Sequence, residues 1–237
     1  MGNTRCRSKR MKTEIKSKVI NDILMVVGHP RSGTSLVCQL VKAAGITFPS
    51  DYEGDEFNKR GYFELKRVNK LSGKLIKEAM TTKNTMEMNK IVAEFNTFPS
   101  SVGVKIIKIP SLFFYKHISK RMRVIFIFRN PADVKASMLK RGIASFSLDW
   151  FTNNNALIAG YENIHNSIII SYETLLNNPE RAKKIFEKIG LVIDPNLIQS
   201  EERTQYQSRI ILRPEEKEMY EKLKELEVEC FKLCGID

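Results

Sequence analysis

Apolar residues along the chain gather into short β-branched runs, separated by longer stretches with helical spacing. The runs cover residues 23–27, 102–109, 124–128 and 167–170, and each is mostly apolar rather than alternating. Strict alternation marks a strand with one wet face. A near-continuous apolar run marks a strand covered on both faces, as in parallel sheets. After the runs come stretches that predict helices over 33–44, 111–119, 131–140 and 179–189. A further helix over 214–234 sets Met219, Leu223, Leu226 and Cys230 on one face. Alternating strands and helices predict a doubly wound α/β sheet of the P-loop type, mainly parallel, with helices on both faces. Ligands of such sheets bind at the carboxyl ends of the strands.

No repeat, low-complexity stretch or Pro-rich linker interrupts this pattern. The 237 residues, 42% of them hydrophobic, suffice for one core. A basic tail over 1–20 followed by one domain over 21–237 is therefore expected. The tail holds Arg5, Arg7, Lys9, Arg10, Lys12, Lys16 and Lys18 against Glu14, half of the net charge of +12. The other half suits a polyanionic ligand as well as a solvated basic surface. Aromatic and basic residues do not interleave as in RNA-binding modules, so no nucleic-acid partner is expected.

The longest apolar runs are strand-sized, which predicts no transmembrane segment. The basic start runs into polar residues rather than an apolar core segment, so no secretory signal is expected. Four scattered cysteines do not make a disulfide framework, and Cys230 and Cys234 lack a nearby His for a metal site. Free thiols in a reducing compartment follow, hence a cytoplasmic protein without a metal.

The first run leads into Gly28-His29-Pro30-Arg31-Ser32-Gly33-Thr34-Ser35 and then an apolar helix. Two glycines bracketing four residues have P-loop spacing, which turns backbone N–H groups towards a phosphate at a helix N-terminus. The lysine that reaches the outer phosphates in ATP- and GTP-using loops is replaced by Thr34. Arg31 is the strong cation of this loop. The strands end in Ile109-Pro110 and Phe128-Arg129, without the Asp that helps NTPases hold magnesium. The loop is expected to cradle an anion without a metal.

A second anion site is expected where the third run continues as Arg129-Asn130-Pro131, with Ser137 two turns along the next helix. Asn130 can cap that helix and Pro131 suits its first turn. Arg129 and Ser137 together fit a phosphate dianion, although Arg-Asn-Pro alone is also an ordinary helix start.

Gly-His-Pro-Arg-Ser-Gly-Thr-Ser resembles the 5′-phosphosulfate loop of sulfotransferases that use adenosine 3′-phosphate 5′-phosphosulfate (PAPS), particularly their bacterial branch. Arg129-Asn130-Pro131 with Ser137 resembles the same family's 3′-phosphate motif. The resemblance implies that Arg31, Ser32, Gly33, Thr34 and Ser35 hold the 5′-phosphosulfate, and Arg129 and Ser137 the 3′-phosphate. Weaker likenesses extend it to about residues 20–195. Ser171-Tyr172-Glu173-Thr174 resembles the family's Tyr-Glu segment, which implies Tyr172 near the adenine. Lys108 stands two residues before Pro110, where cytosolic members carry a catalytic His. Gly61-Tyr62-Phe63-Glu64 is similar to a segment of bacterial members, and Golgi-type members use a Glu in this region. The family's Arg-Lys-Gly loop near the C-terminus is missing; Arg209 and Arg213 are candidate substitutes.

The implied activity is sulfuryl transfer from PAPS to a hydroxyl or amine of a small-molecule, carbohydrate or lipid acceptor. Arg31 and Lys108 are expected to stabilise charge. Glu64, beside two aromatics that could partly desolvate it and just ahead of a helical stretch expected over 68–80, is the candidate general base, ahead of Asp51, Glu53, Asp55 and Glu56. His29, His117 and His165 occupy no family position and are expected to be ordinary. Residues 48–100 and 141–160 are the expected acceptor-binding loops. The alternatives are a nucleotide kinase-like phosphotransferase and a nucleotide-binding module without turnover.

Overall fold

The computed structural model describes residues 19–56, 58, 61–143, 146–198 and 210–236. Four strands form one parallel sheet in the order β2-β1-β3-β4: β1 (Ile20–Val27), β2 (Val102–Ile106), β3 (Ser119–Phe128) and β4 (Ser167–Ser171). Their Val, Ile and Phe side chains are almost all buried, as both-face coverage requires. β1 lies between β2 and β3, with Val26 beside Lys105 on one side and Ile125 on the other. Successive crossovers leave β1 in opposite directions, so a crevice opens beyond the carboxyl ends of β1 and β3, where such folds bind ligands.

Helices flank the sheet: α1 (Thr34–Ala43), α2 (Lys66–Glu78), α3 (Thr82–Phe95), α4 (Leu112–Tyr115), α5 (Pro131–Leu139), α6 (Ser147–Asn163), α7 (Tyr172–Asn177), α8 (Pro179–Glu187) and α9 (Pro214–Leu233). α1 packs on β1 and β2, while α6, α7, α8 and α9 all contact β4. One apolar cluster runs through the sheet from Ile20 to Ile236, and a smaller one joins Val134, Met138, Phe146 and Trp150.

The boundaries depart from expectation where polar residues or proline intervene. β3 begins at Ser119 because Ser119 and the exposed Arg121 still pair alongside Ile20 and Asp22 of β1. β2 stops at Ile106, and Pro110 turns the chain into a short 3-10 segment before α4. Lys108, expected at a strand end, thus lies in a turn. The stretches expected as acceptor loops hold more helix than the one expected over 68–80, which is α2: α3 pairs with it as a hairpin, and α6 packs on the 3-10 segment and α9.

Candidate active site

The turns after all four strands converge on one cleft of about 460 Å³. Its floor is the loop between β1 and α1. Gly33 has φ 94°, and a Cβ there would stand 2.4 Å from the Tyr172 ring, so only glycine fits. Gly28 is as constrained, since a Cβ would meet the Ile127 carbonyl oxygen at 2.5 Å. Arg31 holds a left-handed φ of 72°, a conformation that costs a non-glycine residue about 1–2 kcal/mol. α1 then starts with no side-chain cap and no acidic residue in its first turn. Its first N–H groups and the positive end of its dipole are left for an anion.

The two sequence motifs meet here. Arg31 Nε donates to Ser137 Oγ at 2.8 Å. Arg129 is buried at the tip of β3, with its guanidinium 4.4 Å from the Tyr172 ring centre. It donates to the Arg31 carbonyl and to Asp133, each at 3.4 Å. As expected, Asn130 caps α5 by accepting from the Ala132 N–H at 2.9 Å. Arg31, Gly33, Thr34, Ser35, Arg129 and Tyr172 line the cleft. Ser32 and Ser137 are buried just behind it.

Glu64 also lines the cleft, and it is paired. One oxygen lies 2.9 Å from Lys105 Nζ, and the other accepts from Asn69 Nδ2 at 2.8 Å. Lys105 is buried; it also donates to Ser35 Oγ at 3.1 Å and to the Tyr62 carbonyl at 2.9 Å. It therefore ties the anion loop to the Glu64 segment. Lys108 is instead exposed, its ammonium set against Gly73 of α2, and does not line the cleft. The cation that β2 brings to the site is Lys105, three residues earlier. A lysine inside an apolar strand is a signal in itself, because a buried ammonium demands a counter-charge.

Two more side chains were missed. Asn58 donates to Ser35 Oγ at 3.0 Å and to the Gly61 carbonyl at 2.6 Å. Arg141, just beyond α5, donates to the Tyr62 hydroxyl at 2.9 Å. That hydroxyl donates to Asp55 at 2.5 Å. Burial and the Asp55 bond push the Tyr62 hydroxyl above its ordinary pKa. Neither residue belongs to a motif, so only the folded chain reveals them. Arg31, Lys105, Arg129 and Arg141 against Glu64 make the lining strongly cationic.

The other candidates sit elsewhere. Asp51, Glu53, Asp55 and Glu56 are exposed and outside the lining; Asp51 accepts from the Lys66 N–H at 2.7 Å. His29 is buried against Phe146, its Nδ1–H donating to the Pro30 carbonyl, and burial lowers its pKa to about 4. It is a neutral core residue. His117 and His165 are exposed. Arg213 heads α9, bonds Glu216 and lies over Phe151, whereas Arg209 falls outside the described residues.

Residues 21–225 match the family model described as "Sulfotransferase domain". The chain belongs to the sulfotransferase family. It has the fold of the sulfotransferase domain from the Synechococcus PCC 7002 olefin synthase, at a TM-score of 0.56 and 16% identity. That likeness covers 88% of this chain and 96% of the other. No curated protein matches the chain. The enzyme is thus a transferase of sulfuryl groups, and the phosphotransferase and binding-module alternatives find no support. Among the described residues, no helix is long and apolar enough to cross a membrane.

Proposed function

We propose that the cleft binds PAPS and passes its sulfuryl group to a hydroxyl or amine acceptor. The observation that carries this reading is the Arg31–Ser137 hydrogen bond of 2.8 Å, which joins the two anion motifs into one site. The residues fit a donor with two separated anionic ends. The uncapped start of α1, Arg31, Thr34 and Ser35 would hold the 5′ end, and Arg129 with Ser137 the 3′-phosphate. Tyr172, which also lines the cleft, is the residue proposed to lie near the adenine. When bound, the donor supplies an activated sulfuryl group; position and charge come from the chain.

Glu64 is the group proposed to take the acceptor's proton, and its two hydrogen-bonded oxygens fix its direction. Lys105 stands between Glu64 and Ser35, where charge develops as the bond to sulfur exchanges. Tyr62, Arg141 and Ile143, from the stretches expected to bind acceptor, line the outer cleft. Residues 21–237 would act as one unit, in the cytoplasm, where Cys38, Cys230 and Cys234 stay free thiols.

Adenosine 3′,5′-bisphosphate should raise the melting temperature, and ATP with magnesium should do so far less. A ligand stabilises the state it binds in proportion to its affinity. Equal stabilisation by the two nucleotides would remove the donor assignment.

A further inference from the structure

Glu173 follows Tyr172 at the start of α7 and is not used by the chemistry above. One carboxylate oxygen accepts from the Asn130 N–H at 3.1 Å, directly beside Arg129. The other oxygen is sealed from solvent and has no hydrogen-bond partner among the described residues. The groups that face this carboxyl are Arg129 at the end of β3, Asp133 on α5 and Tyr220 on α9. Burial outweighs the help from Asn130 and Arg129 and pushes the Glu173 pKa above the ordinary carboxylate value. Burial likewise raises the Tyr220 pKa, so that phenol stays neutral.

The Arg129 guanidinium therefore bonds Asp133 and acts on Glu173 through its charge before any ligand arrives. A phosphate docking on Arg129 would be a third anion on the same cation. Asp133 is partly exposed, so solvent can screen its charge. The sealed oxygen of Glu173 has no such relief.

Resting on the reading of Arg129 as the 3′-phosphate site, we propose that Glu173 takes up a proton as the donor binds. Glu173 is then a positioning residue whose charge sets how much of Arg129 is available to the nucleotide. Binding should strengthen as pH falls, because the bound state holds the extra proton. Linkage limits this gain to about tenfold in affinity for each pH unit.

The test is calorimetric titration of the full chain with adenosine 3′,5′-bisphosphate, in buffers of low and high ionisation heat at matched pH. The ligand's own phosphates also titrate, near pH ~6, but equally for every protein compared. Wild type should take up a proton that Glu173→Gln does not. Because Gln keeps the acceptor for Asn130 and mimics the protonated acid, Glu173→Gln should bind several-fold more tightly than wild type at high pH, and the two should converge as the pH falls and free wild type takes up its own proton.

Weaker binding by Glu173→Gln at every pH would overturn the proposal and leave Glu173 a helix-start anchor. So would equal proton uptake by both proteins, or uptake lost only in Asp133→Asn. Failure of wild type to bind the bisphosphate at any pH would remove the donor reading itself, and this proposal with it.

Discussion

A lysine in the middle of a buried strand must find its counter-charge nearby, and Lys105 finds Glu64 at 2.9 Å. The pair is not a stability device. Buried ion pairs roughly break even once desolvation is counted, so their retention points to another use. Here the pair places a carboxylate and an ammonium side by side on the cleft wall, next to Ser35 of the anion loop. Glu64→Gln preserves shape and the contact with Asn69 while removing the proposed base; it also leaves the buried Lys105 ammonium without its carboxylate, so a lower melting temperature is expected as well. It should lower kcat by roughly 10²–10⁴, the usual worth of a general base, and leave bisphosphate affinity near wild type. Assayed at saturating donor, a variant that turns over normally would transfer the role to another group.

At the scale of elements, the β1–α1 turn joins a strand and a helix into the proposed anion cradle, with Gly33 at its closest approach to Tyr172. Gly33→Ala must hold an L-residue at φ 94° and push the Tyr172 ring away from 2.4 Å. Strain of this kind costs about 1–3 kcal/mol. The same displacement disturbs Arg129, whose guanidinium lies over that ring. The expected outcome is a lower melting temperature together with at least ~10-fold weaker bisphosphate binding, since each 1.4 kcal/mol is tenfold. A variant destabilised but with full affinity would show that Tyr172 contributes nothing to the ligand.

This turn was legible in the sequence because local chemistry dictates it: glycine spacing, an apolar strand before, an apolar helix after. The same holds for Asn130-Pro131 and the start of α5. Asn58 and Arg141 were not legible, because their roles depend on contacts across 23 and 79 residues of chain; Lys105 carried a signal as a lysine in an apolar strand, but its contact with Ser35, 70 residues away, did not show. α3 and α6 went unread for a different reason. Their polar stretches, such as Asn153-Asn154-Asn155, read as loop, yet Asn154 is buried and bonds back to the Trp150 carbonyl at 2.8 Å.

Across the whole molecule, stability and chemistry occupy opposite ends of the sheet. The cleft lies at the carboxyl ends of the strands. Near the other end, Arg123 of β3 is buried and reaches Asp22 of β1 at 2.5 Å and the Ile189 carbonyl beyond α8 at 3.2 Å. Ser101, just before β2, donates to the same Asp22 carboxylate. One polar knot thus joins three strands and a helix end far from any cleft residue. Asp22→Ala would leave the Arg123 charge buried without its carboxylate. Breaking a buried pair costs about 3–5 kcal/mol, and partial exposure of Asp22 brings the expectation to roughly 2–3 kcal/mol. Urea unfolding should show a lower midpoint with an unchanged slope, because the surface exposed on unfolding is the same. Bisphosphate affinity, measured well below that midpoint, should match wild type, since no loop of the cleft touches the knot. A parallel loss of affinity would mean that the register of β1 against β3 is transmitted along the strands to the anion loop.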